Sequence, residues 1–222
     1  MSELAKTMET KPATVTVADR LNSQQDGLSD ALAGRIGVER FMRAAVTSFN
    51  VTPALQRCEW GSVLGALFVA AQLGLEVGGP RGLADIVPFG NQATLVVGYK
   101  GYIELFYRAG AIKVEGIVIR EGDNFRQWSS GRDGKDYEWT PLNDDMKRPL
   151  VGVIAQVKLA SGDFQFEHMT REQVEARRPK NWERTPWGQW FDQMALKTVM
   201  RQLAKTVRTS TDDLAIAERN DG

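Results

Sequence analysis

The sequence predicts an α+β fold: a small, mostly antiparallel β-sheet built of hairpins and packed with helices. Three observations lead there. A strongly apolar helical stripe runs through residues 60–71. Three hairpin patterns follow it, and a long amphipathic helix closes the ordered part.

The elements follow in order. Ile36 to Phe49 has helical spacing. From Trp60 to Leu73, the residues Trp60, Val63, Leu64, Leu67, Phe68 and Ala71 recur at the spacing of one helix face, and Gly74 is placed to end the helix. Leu83–Phe89 and Gln92–Val97 flank Gly90-Asn91 as a first hairpin. Tyr99 to Ala109 reads as a short helix stopped by Gly110. In Ile112 to Arg120, the residues Ile112, Val114, Gly116 and Val118 alternate with Lys113, Glu115, Ile117 and Ile119, as in a strand. Phe125–Trp128 and Tyr137–Trp139 form a second hairpin, Leu150–Leu159 and Phe164–Met169 a third. Thr170 and Gln173 make a capping box for a helix over Arg171–Arg177 that Pro179 ends, and Trp187–Val207 is the last helix.

Residues 1–34 are polar with little periodicity and are expected to be a flexible tail. Residues 35–208 form the core domain. Residues 209–222, with Asp212, Asp213, Glu218 and Asp221, are expected to be a flexible acidic tail.

The chain has 222 residues, is 42% hydrophobic and carries zero formal net charge, so the total charge names no partner. The distribution is more telling. Between Arg171 and Arg208 stand nine Lys/Arg against four Asp/Glu, so a neutral chain can still present a basic face. Cys58 is the single cysteine, which excludes an intrachain disulfide and fits a reducing compartment. With no apolar segment near the N-terminus and none elsewhere long enough to span a bilayer, a cytoplasmic protein without membrane contact is expected.

On a wheel of roughly 100° per residue, Leu196, Val199, Met200, Leu203 and Val207 fall on one side of the last helix. Lys197, Arg201, Lys205 and Arg208 fall on the other, spaced by four, four and three. Trp187, Trp190 and Met194 project along the basic side. Cations follow phosphates and indoles stack on bases of any sequence, so this stripe is a candidate single-strand interface. A solvated charge stripe, with the tryptophans packed against a neighbouring element or subunit, stays open. If the stripe is exposed, replacing Lys197, Arg201 and Lys205 should hardly change stability.

Pro186-Trp187, Phe191, Met194-Ala195, Lys197-Thr198-Val199, Arg201, Leu203 and Lys205 resemble a signature of the RecT family. Two further blocks agree in order: Gln72–Glu76 followed by Ala84–Phe89, and Gly98-Tyr99-Lys100-Gly101 followed by Leu105, Tyr107-Arg108 and Gly110. The resemblance covers about residues 36–208. It departs at Leu196 and Gln202, where relatives often carry basic residues.

The resemblance implies an annealing-mediator-like core and ATP-independent binding and annealing of single-stranded DNA in phage recombination. It also implies a homo-oligomer, ring or filament, working with a phage exonuclease and a host single-strand-binding protein in a bacterial cytoplasm. With it, Lys100 and Arg108, off the apolar face of their helix, become DNA-binding candidates, and the flanking glycines would let backbone approach a ligand. Tyr99 stays open between core and stacking, and Arg81 and Lys113 are candidates by residue type and neighbourhood.

Enzymatic alternatives find little support. The nearest carboxylates to a nuclease cluster are Glu115, Glu121 and Asp123. His168 is the lone histidine, too few with one cysteine for a zinc site. Gly131-Arg132-Asp133-Gly134-Lys135 lacks the spacing of a phosphate loop. No cofactor is expected. A passive single-strand coat protein and, further off, a metal-dependent nuclease are the alternatives.

Overall fold

Apolar residues at helical spacing bury the third and fourth helices of the structure, a computed structural model describing residues 16–129, 135–207 and 212–221. After α1 (Val17–Asn22), α2 (Gln25–Leu32) and α3 (Val38–Val51), α4 (Trp60–Gln72) buries Val63, Leu67 and Ala71. Gly74 ends it at φ +58°, with Leu75 N–H donating to Ala70 O (2.9 Å) and Gly74 N–H to Ala71 O (2.8 Å). These are the two bonds of a Schellman stop, which needs a left-handed residue.

The expected hairpins are all present. β1 (Ala84–Phe89) pairs antiparallel with β2 (Gln92–Val97). After α5 (Tyr99–Arg108) comes β3 (Ala111–Arg120), then β4 (Asn124–Ser129) paired with β5 (Lys135–Thr140). β6 (Leu150–Leu159) is the centre of an antiparallel sheet with β3 and β7 (Phe164–Thr170) on its sides. The fold is α+β with antiparallel sheets of few strands, as the hairpin patterns predict.

The alternation in β3 sorts its side chains between two layers. Val114 and Gly116 face helices, and Leu196 and Met200 lie where a Cβ on Gly116 would stand, each 3.0 Å away. Ile117 and Ile119 face the other way, into a small cluster with Ile154 and Phe166 that the β4–β5 hairpin covers with Phe125, Tyr137 and Trp139. Ile112 sits at an irregularity in the β3–β6 register and is exposed.

Thr170 caps α6 (Arg171–Glu175) as the sequence predicts: its hydroxyl accepts from Gln173 N–H at 3.3 Å, and Gln173 Oε1 accepts from Thr170 N–H at 3.0 Å. The last helix differs from expectation. It is α7 (Pro186–Gln189) and α8 (Phe191–Ala204), broken at Trp190, whose φ −127° and ψ 50° are not helical. Trp187 and Trp190 therefore do not continue the wheel of α8.

Of the two expected tails, residues 1–15, 209–211 and 222 lie outside the described residues, and the described parts are helical. Residues 17–32 form helices that bury Leu21, Leu28 and Leu32, and Thr16 and Asp19 make a capping box. α9 (Asp213–Asn220) buries Leu214 and Ala217, with Asp221 just beyond it. Each of these helices is one or two turns long, too short to show a period in a polar sequence. Tertiary packing rather than propensity holds them. Among the described residues, no helix is long and apolar enough to cross a membrane.

Candidate nucleic-acid interface

The groove of interest lies between the β1–β2 hairpin and the helices α7 and α8, with a volume of about 580 Å³. Its apolar surfaces come from Val87, Val96, Trp187 and Met194, and Phe89 stands at its edge beside the hairpin turn, 54% exposed. Arg177, Lys197, Arg201 and Lys205 add cations, three of them spaced one turn apart along α8. α8 takes that orientation because Val199, Met200 and Leu203 are buried on its other side. Arg120 fixes its start, donating to Asp192 at 2.6 Å.

The three α8 cations are not equivalent. Lys197 is 7% exposed, and its ammonium donates to Asp221 Oδ1 at 2.8 Å. The Asp221 carboxylate also accepts from Val97 N–H (3.0 Å) and the Tyr102 hydroxyl (3.1 Å). Burial lowers the Lys197 pKa from its ordinary value, with Asp221 opposing. Partial desolvation raises the carboxyl of Asp85, with Lys197 pulling the other way. The Tyr102 hydroxyl is pushed far up by burial and by Asp221. Lys197 is thus no solvated surface cation: Asp221, just past the end of α9, pairs with it, so the exposure on which a harmless replacement depended is not met.

Arg201 and Lys205 are more open. Arg201 Nη2 donates to the Glu218 carbonyl at 2.9 Å, and Lys205 Nζ lies 3.3 Å from Glu218 Oε1. Arg208 lies outside the described residues.

The two tryptophans part company. Trp187 is 8% exposed and packs near Phe191, ring centroids 6.2 Å apart, so in this structure it is a wall of the groove. Trp190 is half exposed in a recess with Arg184 and Gln189, which adjoins the groove through Thr185 and Pro186.

The other candidates do not line the groove. Lys100 is exposed and Tyr99 half-buried at the start of α5. Arg108 donates to the carbonyls of Leu73 (2.6 Å) and Gly74 (3.0 Å) and to Glu104, so it caps the end of α4. Arg81 pairs with Glu104 at 2.7 Å, and Lys113 with Glu115 at 3.0 Å. The glycines around Tyr99-Lys100 serve the backbone: a Cβ on Gly98 would lie 2.6 Å from Gly82 O, and one on Gly101 2.2 Å from Leu83 O.

Two of the three carboxylates weighed for a metal, Asp123 and Glu115, are occupied otherwise. Asp123 accepts from the backbone N–H groups of Arg120 and Leu142 and from the Trp139 and Arg148 side chains. Burial opposes its ionisation, but these bonds together hold its carboxyl well below the usual range. Glu115 meets Lys113 and Gln156. His168 packs on Phe125 with centroids 4.6 Å apart, and burial lowers its pKa.

Sequence reasoning missed Arg177 and Phe89 as groove residues. Arg177 was part of the basic excess in residues 171–208 but lies in the turn after α6, away from the helix of the stripe. Phe89 carried a signal, an aromatic immediately before a Gly-Asn turn.

Comparison with known proteins agrees with the three sequence blocks. The RecT family profile matches residues 39–221. Protein RecT of Escherichia coli (strain K12) is 35% identical over 228 residues, covering 95% of this chain and 84% of that protein. The uncharacterized protein YqaK of Bacillus subtilis (strain 168) is 31% identical over 166 residues, covering 73% of this chain and 56% of that one. The match reaches through α9 to Asp221, so the partner of Lys197 falls within the shared region, and the chain belongs to the RecT family of phage recombinases.

Proposed function

We propose that this protein binds single-stranded DNA along the groove between the β1–β2 hairpin and α8 and anneals it to a complementary strand without ATP. The observation carrying this reading is the pairing of Arg177, Arg201 and Lys205 with an apolar surface and an exposed Phe89 in one groove. Cations hold a phosphate backbone, and aromatic and apolar faces accept bases whatever their identity. The adjoining recess lengthens the track, and Trp190 there is a stacking surface. Lys100 is a further phosphate contact outside the groove.

A groove of about 580 Å³ holds only a few nucleotides, so annealing long strands calls for a homo-oligomer whose grooves join end to end. A phage exonuclease that supplies single strands and a host single-strand-binding protein are the expected partners.

Two labelled complementary oligonucleotides, followed by fluorescence with and without ATP, test the reading. The protein is expected to accelerate annealing equally in both conditions. Binding should be indifferent to base sequence, and log Kobs should fall linearly with log salt, by roughly 0.7 per phosphate contacted on a single strand. Binding without acceleration would make it a coat protein, and shortening of the labelled strands would make it a nuclease.

A further inference from the structure

The two acids that face the basic stripe are built differently. The Asp221 side chain is fully buried and holds three donors from β2, α5 and α8, so it is a permanent anchor. The Glu218 side chain is 30% exposed and touches its cations loosely, with Oε1 at 3.3 Å from Lys205 Nζ and 3.9 Å from Arg201 Nε. Arg201 Nε is buried yet has no hydrogen-bond partner among the described residues. The guanidinium is therefore held at Nη2 by the backbone carbonyl of Glu218, while Nε, 3.9 Å from the Glu218 carboxylate, is left unsatisfied. A buried donor of this kind carries a standing cost that a better-placed acceptor removes.

We propose that Glu218 is an internal phosphate mimic that gates the α8 stripe: its carboxylate occupies the position between Arg201 and Lys205 that a DNA phosphate takes on binding. This rests on the reading of the groove as a single-strand site. A phosphate brings several acceptor oxygens and forms charge-assisted bonds to an arginine fork, which one distant carboxylate oxygen does not. A strand whose phosphate takes that position displaces Glu218, and the displaced acid then gathers counterions of its own. Glu218 thereby lowers affinity and moderates its salt dependence, and it favours a polyanion over isolated anions.

The test is anisotropy of a labelled oligothymidylate with the full chain, measured from low to moderate salt. The variants are Glu218→Gln, Glu218→Ala and, as a control for net charge, Asp144→Asn at an exposed site. The carbonyl that holds Arg201 is backbone and survives in both Glu218 variants, and alanine keeps a strong helix former should the amide disturb α9. Removing a partly exposed competing charge should tighten binding roughly threefold at low salt. The gain should shrink as salt rises, because the slope steepens by up to about one unit. Asp144→Asn should bind as the unaltered protein does. Equal or weaker binding by folded Glu218 variants, or the same gain with Asp144→Asn, overturns the gate. Failure of the unaltered protein to bind the oligonucleotide at any salt overturns the groove reading itself.

Discussion

Lys197→Ala is expected to destabilise the protein by about 3–5 kcal/mol, the usual consequence of stranding one partner of a buried pair. Removing the ammonium strands a carboxylate whose side chain has no exposed surface. Val97 N–H and the Tyr102 hydroxyl still donate to it, but neither carries a charge. Urea unfolding should show a lower midpoint with an unchanged slope. The double variant Lys197→Ala with Asp221→Asn should recover part of the loss, since it no longer buries an unpaired charge. Loss of DNA binding in Lys197→Ala alone would then report unfolding before it reported a lost phosphate contact. A midpoint equal to that of the unaltered protein would mean that Lys197 stands in solvent.

Gly101→Ala is the second large effect. Its Cβ would stand 2.2 Å from Leu83 O and 2.8 Å from a Val97 methyl, and the first of these is backbone. Either α5 moves off the β1–β2 hairpin or the chain around Leu83 shifts, at a cost of about 3 kcal/mol or more. Gly65→Ala is the control. Gly65 lies in α4 with nothing within 4 Å of its Cβ position, so alanine there should stabilise by roughly 0.5–1 kcal/mol. Melting temperatures should move in opposite directions for the two variants. A Gly101→Ala protein that melts normally but loses DNA binding would restore a ligand-facing role to the Tyr99-Lys100 turn.

Much of the fold was legible because its periods are strong. α4 buries one face along three turns, and β3 shows both of its faces in plain alternation. Each hairpin turn carries Gly, Asn, Asp or Ser. α1, α2 and α9 were not legible, since one or two turns cannot establish a period and their packing depends on residues far away in sequence. The break at Trp190 was hidden for a similar reason: Pro186 starts a helix well, and only the backbone at Trp190 separates α7 from α8.

The site was half legible. A helical wheel finds a charged stripe, but it does not know what lies across from it. Asp221 is 24 residues from Lys197, and no local pattern links them. Arg108 shows the same limit. Position on the helix surface suggested a ligand contact, whereas its fork takes the carbonyls of Leu73 and Gly74 just past the end of α4, 35 and 34 residues away. Residue type identified the cations, and only the tertiary fold separated those in the groove from those paired elsewhere.

In the proposed function, the groove between the β1–β2 hairpin and α8 holds the DNA backbone. The most direct measurement is the salt dependence of oligothymidylate binding by the double variant Arg177→Ala, Lys205→Ala. Both residues are exposed, so the melting temperature should stay close to that of the unaltered protein. Affinity at low salt should fall by roughly tenfold or more, and the slope of log Kobs against log salt should flatten by roughly 1.4 units for the two lost single-strand contacts. An unchanged affinity and slope in a folded double variant would contradict the account and place the DNA elsewhere on the protein.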